Sequence, residues 1–187
     1  MDTHATHHHA GNRVEDFRLI TGAGKYASDW NAPGQLYGCF VRSDRAHAQL
    51  VSVNTARALR HPGATHVFTG ADAVSAGYVK PQHSLTSPGR NGMKALAPDR
   101  PVLAHGKVHF VGEALALVVA TSAAAAADAA ELVEVEYRDL PPVIRPDEAL
   151  APGAPQLHEN VPGNLAYEAE AGNAGEVEAA FAVAAHV

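Results

Sequence analysis

The stretch from Val108 to Pro141, VHFVGEALALVVATSAAAAADAAELVEVEYRDLP, constrains the fold more than any other part of this 187-residue chain. Ala114 to Ala120 is a continuous apolar run of strand length, the pattern of a strand buried on both faces. Val133, Val135 and Tyr137 alternate with Glu134, Glu136 and Arg138, the pattern of a strand with one wet face. The alanines from Ala123 to Ala130 combine the highest intrinsic helix propensity with almost no side-chain bulk. A helix there can lie close against a sheet, its first turn capped by Thr121 or Ser122. A crossover of this length predicts that the second strand returns parallel to the first through a right-handed connection.

Upstream, Leu36 to Arg42 and Leu50 to Val53 read as strands, joined as a hairpin across the polar link Ser43 to Ala48. Asn54 or Thr55 caps a short helix running through Leu59. It stops at His61-Pro62-Gly63, where proline disfavours helical geometry in the residue before it. Thr65 to Thr69 is the next strand, followed by one helical turn near Ala71 to Val74. From Ala76 to Asp99 the sequence is irregular and holds Pro81, Pro88 and Pro98; a loop this long inside a compact domain is functional or disordered. Pro141 to Gly163 is again proline-rich and reads as extended, and a helical pattern runs from Glu176 to Ala185. There is no internal repeat.

This length can bury a core and make one domain, or one domain with an extended tail. With Lys+Arg 14 against Asp+Glu 20, the net charge of −6 offers no basic field for nucleic acid or anionic lipid. Cys39 is the sole cysteine, which excludes an internal disulfide, and it sits in an apolar run as a small buried hydrophobe. A reducing, cytoplasmic setting fits. The start, MDTHATHHHAGNRVED, lacks a cationic segment followed by an apolar one, and no run has the length to cross a bilayer. The expectation is a soluble protein with neither membrane nor nucleic-acid partners.

Motifs that carry chemistry by themselves are missing: no phosphate-cradling loop, no Gly-x-Ser-x-Gly elbow, no paired cysteines. Thr21-Gly-Ala-Gly24, ahead of Tyr26, Asp29 and Trp30, reads as a turn, because no convincing strand precedes it. His4, His7, His8 and His9 include a pair at helical spacing, but a leader this polar reads as a mobile tail with adventitious metal affinity. His47, His105, His109 and His158 are scattered, and none suggests a triad. His158-Glu159 reads as a hydrogen-bonding anchor. Glu113 reads as an exposed glutamate at a strand edge after Gly112, the alternative being a buried carboxylate in an apolar strand entry.

Taken in order, the segments TGAGKYASDWNAPGQLYGCFVRS, AHAQLVSVNTARALRHPGATHVFTGAD, RPVLAHGKVHFVGEALALVVA, DAAELVEVEYRDLPPV and PQLHENVPGN form a set. From about Arg13 onward this set resembles the amino-terminal domain of the molybdenum-cofactor-binding large subunit of the xanthine dehydrogenase and aldehyde oxidase family. The resemblance implies an α+β (mixed α/β) fold, the α/β hammerhead, with a mixed sheet and packed helices. Residues 1–12 would be a His-rich leader, 13–170 the hammerhead, and 171–187 the start of the connection to a molybdopterin-binding domain. Ala114 stands where the family often has proline after Val-Gly-Glu, and Gly172-Asn173 where it often has Gly-Asp; both departures fall at turns.

The family's pterin-binding loops and catalytic glutamate lie in longer domains beyond the hammerhead, so the resemblance implies a fragment, a separately encoded piece or a truncated product. No catalytic, cofactor-binding or metal residue is expected in it, and the chain alone is expected to be inactive. The molybdenum–molybdopterin cofactor would sit in the remainder of the subunit, with FAD and 2Fe-2S clusters in partner subunits or domains. The resemblance also places Leu96 and Ala97, with Met93 close by, at a substrate funnel, acting by shape; the alternative is that Leu96 anchors a flexible loop to its own domain. One implied role is the structural, funnel-forming portion of a molybdenum hydroxylase that oxidises aldehydes or N-heterocycles with water-derived oxygen. The other is a free-standing interaction module that keeps the fold without catalysis.

Overall fold

The computed structural model describes residues 15–78, 88–98 and 100–186. The expected His-rich leader and the first part of the irregular segment's interior lie outside the described residues. The chain divides into two compact units, 1–35 and 36–187.

In the first unit, helix α1 (Asp16–Ile20) ends where the Thr21 hydroxyl donates to the Phe17 carbonyl at 2.7 Å. A 3-10 turn (Ala27–Asp29) follows, closed by the Tyr26 N–H donating to the Asp29 carboxylate at 2.9 Å, and Lys25 lies over the Trp30 ring. The Gly-Ala-Gly stretch is thus a turn between two short helical pieces, with Gly22 at φ 74°.

The second unit runs β1 (Tyr37–Arg42), β2 (Ala48–Asn54), α2 (Ala56–Leu59), β3 (Ala64–Thr69), α3 (Gly70–Ser75), β4 (Lys107–Val108), β5 (Ala114–Ala120), α4 (Ala123–Ala130), β6 (Glu134–Asp139), α5 (Pro146–Ala149) and α6 (Ala174–Val183). Its strands form two three-stranded sheets, ordered β1-β5-β3 and β4-β2-β6, and every pairing is antiparallel. This is an α+β architecture of helices and two three-stranded sheets, and three expectations are corrected. The sheets are antiparallel throughout, where the sequence suggested a mixed sheet. β1 and β2 do not form a hairpin: β1 pairs with β5, and β2 with β4 and β6. Nor does β6 return parallel to β5; it joins the other sheet.

The physical reason for β6's choice is polar complementarity. Its wet face carries Glu134 and Glu136, which meet Arg57 at 2.8 Å and Ser52 at 3.3 Å, while Arg138 donates to Gln49 of β2. Cross-strand pairs of this kind contribute a few tenths to about 1 kcal/mol each. In the other sheet β5 is already paired on both edges, by β1 and β3, and has no free edge for β6.

β5 is the middle strand of its sheet, and its Leu115, Ala116, Val118 and Ala120 are fully buried. Helix α4 packs on β1 and β5 through Ala126 and Ala129, whose small side chains permit the close approach. The Ser122 hydroxyl accepts the Ala125 N–H at 3.1 Å, the cap the sequence offered. At the start of α2, Asn54 supplies the side-chain acceptor, taking the Ala56 N–H at 3.1 Å. Helix α3 opens on a reciprocal cap between Thr69 and Asp72, which holds the Asp72 carboxyl below its ordinary value through the Thr69 hydroxyl and N–H. Gly70 lies directly against the Ala104 carbonyl, with no room for a Cβ. A second core gathers Ala48, Ala104, Val108 and Leu115, with Val41, Leu50, Val135 and Tyr137 packed around it.

Candidate functional site

The three residues placed at a funnel by sequence, Met93, Leu96 and Ala97, share one segment with no helix or strand of its own beyond a 3-10 turn at Arg90–Gly92. Asn91 at φ 54° and Gly92 at φ 77° turn the chain there, and the Gly89 N–H donates to the Met93 carbonyl at 2.8 Å. Met93 is half-buried, Ala97 exposed, and Leu96 38% exposed. The segment is held from outside by residues 160–168. The Leu96 N–H donates to the Ala166 carbonyl at 2.8 Å, the Asn160 amide to the Ala97 carbonyl at 2.7 Å, and the Arg90 N–H to the Glu168 carbonyl at 2.8 Å. An Arg90–Glu168 ion pair at 2.9 Å adds to this, and Gly89 lies directly against the Glu168 backbone. Met93, Leu96 and Ala97 therefore sit together on a braced strip.

One bracing residue, Asn160, lies in PQLHENVPGN, and Ala166 and Glu168 follow directly after it. Asn164, at φ 59°, organises that loop with one side chain: its oxygen accepts the Leu157 N–H at 2.9 Å, and its amide donates to the Ala149 and Pro155 carbonyls. Such multiple bonding fixes a loop that has no regular structure to satisfy its backbone. The sequence pointed to the motif as a family segment but not to this bracing, because its partner lies more than sixty residues away.

A second cluster was not foreseen. Glu113 is buried, 6% exposed, which corrects the expectation of an exposed strand-edge glutamate. The cause is the turn at Gly112, φ 92°, whose N–H donates to the Ser43 carbonyl at 2.7 Å while the Ser43 N–H returns a bond to the Glu113 carbonyl at 2.9 Å. This directs the carboxylate back over the preceding turn, where it accepts the His109 N–H at 2.5 Å and approaches His109 Nδ1 at 3.4 Å. The His109 ring stacks on His158 at 4.4 Å and 11°, with His47 on a further centroid 6.3 Å away. His158 thus adds ring stacking to hydrogen bonding, its carbonyl accepting the Val161 N–H and the Gln156 amide, each at 3.1 Å. His47, 6% exposed, is held by its Nδ1 at 2.8 Å from the Pro141 carbonyl, leaving its Nε2 buried without a hydrogen bond. His105 stays exposed.

This cluster does not fit a metal ion. Face-to-face rings direct their nitrogens sideways, so the imidazoles do not converge on one point, and the Glu113 carboxylate is already bonded to His109. Among the described residues no group of three or more His, Cys, Asp or Glu is placed to hold a metal ion. The His4 to His9 set lies outside the described residues. Among those described, no helix is long and apolar enough to cross a membrane.

One face of the β1-β5-β3 sheet is left open. The register aligns Phe40, Leu117 and Phe68 across it, with Phe40 48% and Phe68 44% exposed. Arg42 lies over the Phe40 ring and His66 stacks on Phe68. Tyr78 and Val102 extend the apolar lining. Cys39, of opposite parity on β1, is half-buried.

Residues 21–141 match the family model described as the aldehyde oxidase and xanthine dehydrogenase a/b hammerhead domain. The chain is 41% identical over 177 residues to the nicotine 6-hydroxylase large subunit of Paenarthrobacter nicotinovorans, covering 94% of this chain and 20% of that protein. It is 43% identical over 150 residues to the carbon monoxide dehydrogenase large chain of Afipia carboxidovorans, covering 80% of this chain and 17% of that one. Among solved structures, a reconstituted CO dehydrogenase from Oligotropha carboxidovorans superposes with a TM-score of 0.71 at 36% identity, over 93% of this chain and 22% of that one. The chain thus spans about a fifth of the length of the curated relatives it matches. Its antiparallel sheets, its alanine helix and its ordered segments all fall in one place: the chain belongs to the aldehyde oxidase and xanthine dehydrogenase family, as an α/β hammerhead domain.

Proposed function

We propose that this chain is the hammerhead portion of a molybdenum hydroxylase, an enzyme oxidising an aldehyde or N-heterocycle with water-derived oxygen. In this reading residues 13–170 are the hammerhead, and 171–187, whose helix α6 is exposed along its whole length, lead into the next domain. The observation that carries the reading is the open sheet face: a row of Phe40, Leu117 and Phe68, half-exposed, suits burial against the rest of a larger subunit. The relatives' length, about five times this one, supports the same view.

The molybdenum–molybdopterin cofactor would be held by the remainder and would supply the oxidation chemistry there, with FAD and 2Fe-2S clusters in partner subunits or domains as the family's further cofactors. This chain's residues act by position. Met93, Leu96 and Ala97 line the substrate funnel, and Leu96 selects by shape, where a methylene of misfit is worth about 1–3 kcal/mol. A cytoplasmic setting belongs to the same reading. The test is direct: the purified 187-residue chain is assayed for molybdenum by elemental analysis and for aldehyde and purine oxidation with an artificial acceptor. A folded chain without metal or turnover is the expected outcome; stoichiometric molybdenum with turnover would overturn the reading.

A further inference from the structure

We propose that Glu113, His109, His158 and Asn160 form a brace that sets the position of the Leu96–Ala97 strip, making His158 and Asn160 positioning residues rather than surface loop residues. The brace starts in the core. Glu113 is fixed beside β5 by the paired backbone bonds to Ser43, and its carboxylate holds the His109 N–H at 2.5 Å. The His109 ring, with a side chain only 14% exposed, is oriented by the approach of its Nδ1 to the other Glu113 carboxylate oxygen at 3.4 Å. His158 lies flat on it, 4.4 Å between centroids and 11° from parallel. Two residues on, the Asn160 amide reaches the Ala97 carbonyl at 2.7 Å.

The link between ring and amide is short and stiff. The Val161 N–H donates to the His158 carbonyl at 3.1 Å, Val161 is 3% exposed, and Asn164 ties the same loop to Ala149 and Pro155. A loop closed at both ends in this way has few conformations left to it. Past Asn164 the chain meets the strip twice more, at Leu96 and at Arg90. The strip contributes no regular structure of its own, so its placement follows that of 158–168, and theirs follows the His109 ring. Ring stacking is suited to this role, since aromatic pairs favour particular offsets and contribute beyond the area they bury. His47 also stacks near His109, 6.3 Å between centroids, and Lys107 pairs with Glu159 at 3.7 Å.

The effect on substrate choice rests on the funnel reading above; the bracing does not. Both are tested by amide hydrogen exchange on the 187-residue chain, read at Leu96 with the β5 amides as an internal check of folding. Asn160→Ala and His158→Ala should each speed exchange at Leu96 roughly tenfold, the size expected from losing about one net hydrogen bond of local stability, while β5 is unchanged. His158→Phe, which keeps a flat ring, should restore slow exchange. Should His158→Ala also loosen β5, Asn160→Ala, an exposed side chain, decides the question. Unchanged exchange at Leu96 in Asn160→Ala, or His158→Phe as fast as His158→Ala, would overturn the brace. In the reconstituted enzyme the alanine variants should shift the ratio of kcat/KM for bulky over small substrates. Fast exchange with an unshifted ratio would uphold the brace and remove the funnel role.

Discussion

Replacing Glu113 with alanine is expected to cost far more than a surface glutamate would. The carboxylate is 6% exposed and accepts the His109 N–H at 2.5 Å. A hydrogen bond to a charged acceptor contributes about 1.5–3 kcal/mol, and a donor left buried without a partner costs about 1–3 kcal/mol. These overlap rather than add, so Glu113→Ala should destabilise by about 2–4 kcal/mol. Backbone relaxation offers little relief, because the Ser43 bonds to Gly112 and Glu113 hold the turn in place after the side chain has gone. Glu113→Gln keeps an oxygen for the His109 N–H and should cost about 1 kcal/mol. Urea unfolding followed by circular dichroism at neutral pH measures both. With a slope of about 2 kcal/mol/M, the alanine variant's midpoint should fall by about 1–2 M. A Glu113→Ala stability within about 0.5 kcal/mol of the parent, the usual range for surface changes, would refute the reasoning and return the residue to solvent.

Leu115→Ala removes a fully buried side chain whose neighbours Ala48 and Ala104 are too small to close the gap; a loss of about 3–4 kcal/mol in the same urea assay is expected, and under about 1 kcal/mol would contradict the packing described. Thr69→Ala should cost about 1 kcal/mol by removing the α3 cap. Asp72 has a folded value lowered by its Thr69 hydrogen bonds, so its contribution is present above the ordinary carboxylate value and is lost as pH falls through the lower one. The stability gap between the parent and Asp72→Asn should therefore narrow below about pH 4, and a pH-independent gap would dismiss the capping account. Phe40→Ser with Phe68→Ser should leave the fold intact yet weaken binding to the remainder of the subunit, measured by calorimetry; unaltered affinity would assign docking to another face.

The parts of this structure legible in the sequence are those whose physics is local. Helix α4 could be read from Ser122 and a run of alanines, and β5 from seven apolar residues, because capping, propensity and strand periodicity are all short-range. Pairing was not legible. The strand, helix and strand of 114–139 look like a parallel crossover unit, but β1 and β3 occupy both edges of β5, and Glu134, Glu136 and Arg138 find partners in Arg57, Ser52 and Gln49 that go with the other sheet. Likewise Ser43 to Ala48 resembles a hairpin link, whereas β1 finds its partner about eighty residues later in β5. At the site, the segment of Met93, Leu96 and Ala97 came from resemblance, while its bracing depends on Asn160 and His158. Glu113 was misread because apolar flanks and a preceding glycine fit either exposure, and the Ser43 bonds that decide it come from a distant residue.

The most direct test of the central claim is co-expression of this chain with the molybdopterin-binding remainder that the proposed function assigns to its subunit, followed by size separation, elemental analysis and an oxidation assay on the purified species. A stoichiometric complex carrying molybdenum and turning over an aldehyde or N-heterocycle, with the remainder inactive by itself, is the predicted result. A remainder that is fully active without this chain, and a chain that stays apart from it, would contradict the account.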